Sequence, residues 1–206
     1  MMKKAIGNST AKLPIIICLT GMPGAGKSTV ASSLKEKGFF VITMGDVIRE
    51  EAMRLKLDPN DVNLGKLMVQ LRKESGPGAV AELVVKRINS LLNSKFNVDY
   101  PVLIVDGIRS TPEVAVLNRV GQVRLLAIHA ASHVRFIHLK ERGRMDAPLA
   151  QRDFMDRERR ELDVGISEVI ALADEVISNN RLTINQLKAN AFEIVMKWIN
   201  SSKPKS

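Results

Sequence analysis

Nine residues govern what this chain can fold into: Gly21-Met22-Pro23-Gly24-Ala25-Gly26-Lys27-Ser28-Thr29. They fit the pattern G-x-x-x-x-G-K-S/T. They also lie between a short β-branched apolar run, Ile15–Leu19, and a segment that reads as a helix, Lys27–Lys37. The glycines let successive backbone N–H groups converge on one point, at the N-terminus of a helix whose dipole favours negative charge. In that arrangement Lys27 reaches the β- and γ-phosphates of a nucleotide and the Ser28 hydroxyl reaches Mg²⁺. All nine residues are therefore expected to bind the nucleotide, with Ser28 also a metal ligand. The alternative, a glycine-rich turn with an incidental lysine, does not explain the strand before it and the helix after it.

The rest of the chain alternates strand and helix without internal repeats. Phe39–Thr43, Pro101–Val105, Val123–Ile128 and Glu175–Ser178 read as further strands, the second of them a continuous apolar run of the kind found in central parallel strands. Between them, Gly45–Leu55, Asn63–Glu74, Ala79–Leu92, Pro112–Val120 and Ser132–Glu141 read as helices, and Ile184–Asn200 closes the chain as a long one. The breaker Ser75-Gly76-Pro77-Gly78 separates two of the helices. Strands alternating with helices predict an α/β fold, a mainly parallel sheet with helices on both faces.

Two further stretches carry chemistry. Leu103-Ile104-Val105-Asp106-Gly107 ends a buried strand on an acid, where a phosphate-loop protein holds Mg²⁺, usually through water. Asp106 could instead cap the following helix. Ile108-Arg109 comes next and places a cation beside the phosphates. Asp46 and Arg49, in Met44-Gly45-Asp46-Val47-Ile48-Arg49, project from a helix start at the carboxyl edge of the sheet, where open α/β sheets bind ligands. An ordinary N-cap is the alternative for Asp46. Segment 142–163 is rich in both arginine and acids. It reads either as a lid or as a solvated helix laced by pairs such as Arg157/Glu161 and Asp156/Arg160. Of His129, His133 and His138, His129 is the best placed because it ends a strand, and no pair has metal-ligand spacing with a helper acid.

Taken in order, the loop, Gly45–Glu50, Val105–Ser110 and the arginine-rich segment resemble the P-loop nucleoside monophosphate kinases; adenylate kinases carry similar stretches. Leu19-Thr20-Gly21 and Ala173–Asn180 look instead like dephospho-CoA kinase. Adding Arg142-Gly143-Arg144, Arg152-Asp153, Arg157-Glu158 and Gly165-Ile166, the pattern is closest to an archaeal nucleotide-kinase family related to both, over about Ile15 to Trp198. The resemblance implies a three-layer fold around a five-stranded parallel sheet of order 2-3-1-4-5, with helices 45–95 forming the acceptor side. It implies ATP and Mg²⁺ as cofactors and a small nucleotide as acceptor. Arg49 and Arg109, with Asp46, would bind that acceptor. Lys27, Asp106, Asp46, Arg144 and Arg152 would be catalytic, with Arg157 a further lid arginine. The chain lacks a long lid insertion and zinc-binding cysteines, unlike adenylate kinase. It has Gly45-Asp46 with Arg49 where dephospho-CoA kinases open on an aspartate-rich stretch.

Charge and composition narrow the classes. The net charge is +9, but Lys3, Lys4, Lys12, Lys203 and Lys205 supply five of those charges from the two ends, which leaves +4 on the body. With one Tyr, one Trp and six Phe, the chain offers little for base stacking, so nucleic acid is disfavoured as a partner. One cysteine, Cys18, forbids an intrachain disulfide and fits a reducing, cytoplasmic setting. No apolar run has the length of a membrane span. Lys3 and Lys4 ahead of Leu13–Leu19 imitate an export signal, a reading that the phosphate loop directly after the run rejects. A switch GTPase is expected to show N-K-x-D and D-x-x-G motifs, and the chain has neither. Residues 1–12 and 201–206 are expected to be flexible tails around one kinase domain at 13–200, whose lid spans about 142–163.

Overall fold

The computed structural model describes residues 13–95, 101–141 and 151–202. Residues 1–12, 203–206 and 142–150, the last including Arg144, lie outside the described residues, so the expectations placed on them are not addressed below.

Strand β1 (Ile15–Thr20) is buried along its whole length. It pairs in parallel with β3 (Val102–Ile108) on one side and with β4 (Gln122–His129) on the other. The short strands β2 (Phe40–Thr43) and β5 (Glu175–Ser178) complete the sheet outside β3 and β4, giving the order β2-β3-β1-β4-β5. This is the order implied by the resemblance.

Period-two alternation divides each central strand between two cores. Ile15, Ile17 and Leu19 pack with Ile104, Leu126 and Ile128 against one helical layer. That layer consists of α1 (Lys27–Glu36) and α9 (Ile184–Ser202). The buried side chains of α9, Leu187, Ala191, Val195 and Trp198, recur at the spacing of one helix face. Ile16 and Cys18 point the other way, with Leu103, Val105 and Leu125. They meet α2 (Met44–Arg54), α4 (Ala79–Lys95) and, through Leu64 and Leu67, α3 (Asp61–Ser75). The same layer takes in α5 (Thr111–Asn118) through Leu117. Because both of their faces are covered, β1 and β3 carry almost no polar residues, which is why they are plain in the sequence. Burial of Cys18 in this core pushes its thiol well above the ordinary range, so it is an inert packing group.

Helix α6 (Ser132–Glu141) has the expected bounds. The described part of the arginine-rich segment is α7 (Gln151–Val164), whose buried residue is Phe154. Gly165 then serves as N-cap for a helix the sequence reading lacked, α8 (Ile166–Ala171). Six residues with two buried side chains, Ile166 and Val169, are too short a run to show a period. Among the described residues no helix is long and apolar enough to cross a membrane.

The sheet is irregular at one functional point. Leu19 pairs with Asp106, but Thr20 pairs with Ile108, so Gly107 is left out of the ladder as a bulge. Gly107 has φ of +102°, which a side chain would strain, and the Thr20 hydroxyl donates to the Ile108 carbonyl at 2.8 Å. The bulge sits at the carboxyl end of β3, directly after Asp106.

Candidate active site at the phosphate loop

The loop runs from the end of β1 into α1, at the place where the chain order reverses across the sheet (β3 on one side of β1, β4 on the other). Its geometry demands glycine for reasons of space as well as conformation. Gly21 has φ of +140°, and a Cβ there would stand 2.1 Å from the Ile128 carbonyl oxygen of β4. The loop can lie this close to the sheet only without a side chain.

Five successive loop carbonyls are held by side chains. The Lys27 ammonium bonds to the carbonyls of Gly21 and Met22, the second at 3.2 Å. Arg135 reaches the Pro23 carbonyl at 3.4 Å, His138 Nδ1 meets the Gly24 carbonyl at 3.0 Å, and Asn179 Nδ2 donates to the Ala25 carbonyl at 2.9 Å. Met22 and Ala25 are buried beneath the loop. The other motif residues line a cavity of ≈ 520 Å³ that continues past Asp106 to Arg49 and Arg109.

Burial shapes the charges in this cleft. It lowers the Lys27 pKa to about 8, against the pull of the Asp106 and Glu161 carboxylates, which raise it. Burial likewise raises the Asp106 pKa, while Lys27 and Arg109 lower it and Asp46 raises it further. Asp106 Oδ1 is buried and has no hydrogen-bond partner among the described residues. A buried, unpaired carboxylate oxygen beside a lysine is costly unless a cation serves it. The donor set, one carboxylate and the Ser28 hydroxyl on one cleft, therefore fits Mg²⁺, which takes few protein ligands and keeps waters and phosphate oxygens. Among the described residues no group of three or more His, Cys, Asp or Glu could hold a metal by itself.

Several sequence expectations change at this point. The cap of α5 is Ser110, so Asp106 does not cap that helix. Thr43 holds the N-cap position of α2 without a side-chain capping bond, which puts Asp46 in the first turn, ion-paired with Arg49 on the next. Arg49 lines the cleft, while Asp46 stands at its rim with 62% of its side chain exposed. Arg109 also lines the cleft and pairs with Glu161 of α7 at 3.1 Å. On α7 the inward face is Phe154, Arg157, Glu158 and Glu161, at helical spacing. Arg152 is two residues before Phe154, on the opposite side and exposed, so it does not line the cleft; Arg157 does. His129 is exposed, and the histidine that reaches the loop is His138. It lies three residues after Arg135 on one face of α6, a relation hidden when histidines are compared only with one another.

Glu113, Arg135 and Asn179 were not legible as site-builders. Glu113 is fully buried at the start of α5, accepting from the Arg109 backbone N–H at 2.9 Å and from Arg72 of α3 at 3.1 Å. It thereby ties α3 to the end of β3. Arg135 is buried, donates to the Ala130 carbonyl at 2.8 Å, and pairs with Glu158 of α7. For Asn179 the signals were its place just after a strand end and in the stretch Ala173–Asn180 that carries the resemblance, neither of which pointed to the loop.

Comparison with known proteins gives the family and the fold. A protein family described as "AAA domain" matches residues 20–161. A UPF0200 protein of Pyrococcus horikoshii is 38% identical over 190 residues, spanning 91% of this chain and 99% of its own length. One from Sulfurisphaera tokodaii is 35% identical over 182 residues, spanning 88% and 96%. Among solved structures, a shikimate kinase from Bacteroides thetaiotaomicron superimposes with a TM-score of 0.55 at 18% identity, covering 89% of this chain and 98% of that one. A shikimate kinase from Acinetobacter baumannii in complex with shikimate gives 0.52 at 18% identity, covering 95% and 97%. At such identities the likeness is one of fold.

Proposed function

The chain belongs to the AAA-domain family and to the UPF0200 proteins, and from that premise we propose that it is an ATP- and Mg²⁺-dependent phosphotransferase whose acceptor is a small phosphate-bearing molecule, a nucleoside monophosphate. One observation carries the reading: Lys27 and Asp106, whose buried Oδ1 has no hydrogen-bond partner among the described residues, line one cleft together with Arg49 and Arg109.

Each part then has a task. The loop and Lys27 hold the β- and γ-phosphates of the donor. Ser28 and Asp106 would hold Mg²⁺, which screens the phosphate charge. Arg49 and Arg109 pair with the acceptor's phosphate and turn one of its oxygens toward the γ-phosphorus. That oxygen forms the new P–O bond while the bond to the β–γ bridging oxygen breaks and ADP leaves. An anionic attacking oxygen has no proton to lose, so no general base is required. Arg157, from α7, adds positive charge on the lid side of the cleft. The chain is read as one kinase domain whose lid includes α7.

A ribose 3′-hydroxyl acceptor, as in dephospho-CoA kinases, is the second reading, and it would need a carboxylate to take the proton. Glu161 lines the cleft and supports that reading, but its Oε2 is held by Arg109; Asp46 is held at the rim by Arg49. The two acceptors are separated by one pair of variants. With a phosphate-bearing acceptor, Asp46→Asn lowers kcat by about tenfold or less, and Arg49→Ala raises the acceptor KM by at least tenfold. With a hydroxyl acceptor, loss of a carboxylate base costs about 10²–10⁴ in rate. Steady-state kinetics on the two variants, alongside Glu161→Gln, decides between them. A large kcat loss at Asp46 or Glu161 with little change at Arg49 overturns the monophosphate reading.

A further inference from the structure

The loop motif accounts for its own amides and lysine but not for how its carbonyls are kept away from a polyanion. Three side chains outside the motif take them: Arg135 on Pro23, His138 on Gly24 and Asn179 on Ala25. A carbonyl oxygen only accepts, so His138 carries its proton on Nδ1. In a trans peptide the C=O of one residue and the N–H of the next point in opposite directions. Holding the Pro23 and Ala25 carbonyls toward α6 and β5 therefore turns the N–H groups of Gly24 and Gly26 the other way. The Gly24 carbonyl belongs to the turn closed by the Ala25 N–H on the Met22 carbonyl at 3.1 Å, so His138 secures that turn.

Two of the three donors are themselves fixed. Asn179 is buried, and its backbone N–H donates to the His129 carbonyl at 2.7 Å, the last rung between β4 and the end of β5. Arg135 is locked by the Ala130 carbonyl and by Glu158, and its guanidinium lies over the Phe154 ring at 5.5 Å. Glu158 also accepts from the Ser132 hydroxyl at 3.0 Å. The clamp thus joins the loop to the sheet, to α6 and, through Arg135, to α7.

We infer that Arg135, His138 and Asn179 are positioning residues that hold the phosphate loop in its polyphosphate-binding shape before any ligand arrives. The inference rests on the reading of the cleft as a polyphosphate site. A preformed ring of donors binds without having to be ordered first, so loss of one strut shows in affinity for the phosphate chain itself, with or without a base.

The test measures binding of inorganic tripolyphosphate and of ATP, each with Mg²⁺, by titration calorimetry. His138→Phe keeps ring bulk without the donor, and His138→Asn returns an N–H near the Nδ1 position. Asn179→Asp keeps size and replaces the donor by an acceptor facing the Ala25 carbonyl. We expect His138→Phe and Asn179→Asp each to weaken both ligands by about tenfold, with His138→Asn close to the parent protein. Should Asn179→Asp fail to fold, the half-buried His138 pair still decides. Unchanged tripolyphosphate affinity in the folded variants overturns the clamp. So does a loss confined to ATP that His138→Asn does not rescue, because the ring would then be contacting the base. If the parent protein binds neither ligand, the polyphosphate reading falls and the clamp with it. If the parent binds both and the variants match it, the clamp alone falls.

Discussion

Replacing Lys27 by alanine is expected to lower phosphoryl transfer by about 10³-fold or more and to weaken ATP binding, while the protein stays folded. Lys27 is partly buried, and among the described residues its ammonium bonds to the loop carbonyls of Gly21 and Met22. Those neutral carbonyls do not repay the burial of a full charge, which is why its pKa falls to about 8. A polyanion does repay it. The ammonium is thus a group whose environment is completed by phosphate, and its removal takes away the interaction that strengthens as charge builds on the transferring group. Initial rates with a saturating acceptor, together with ATP titration, check this. Turnover close to that of the parent protein would show that the loop does not hold the reacting phosphate.

The second large effect belongs to Asp106. Asp106→Asn is expected to reduce kcat by about 10²–10³ without lowering the thermal midpoint of the metal-free protein. The sign of the stability effect follows from burial. Asp106 is 8% exposed, one of its oxygens has no partner among the described residues, and burial pushes its pKa up, so the charged form costs folding free energy that a neutral amide does not. On the proposed reading, that cost is offset when Mg²⁺ and the donor's phosphates are bound. Activity near the parent level, or loss of the fold, would make Asp106 a structural group.

The legible parts of this molecule were those whose physics is local. Ile15–Thr20 and Val102–Ile108 are apolar because both of their faces are covered, and that run is visible without any partner. The loop was visible because a close approach to Ile128 and a converging set of amides tolerate few sequences. The sheet order came through the resemblance, and β-strand pairing bears it out. What stayed hidden depends on contacts between residues distant in sequence. Asn179 meets Ala25 across 154 positions, and His138 meets Gly24 across 114. Glu113 looked like an ordinary first-turn acid until Arg72 and the Arg109 backbone closed on it. The sequence reading placed Arg152 ahead of Arg157 among arginines in one run; the rotation of α7, set by Phe154, leaves Arg152 exposed and puts Arg157 on the cleft. The cap alternative for Asp46 falls because α2 begins at Met44, two residues before it, which leaves Asp46 in the first turn and ion-paired with Arg49.

The most direct test of the central claim is a transfer assay. The full chain is incubated with ATP labelled on its γ-phosphate and Mg²⁺, with AMP, CMP, UMP, GMP and dephospho-CoA offered separately, and the products are separated chromatographically. The account predicts label on a nucleoside diphosphate for at least one of the four monophosphates, with an equal amount of ADP formed, and no such transfer by Lys27→Ala. Label on dephospho-CoA alone would contradict the monophosphate acceptor, and label released only as inorganic phosphate, at a rate no acceptor changes, would contradict phosphotransfer itself.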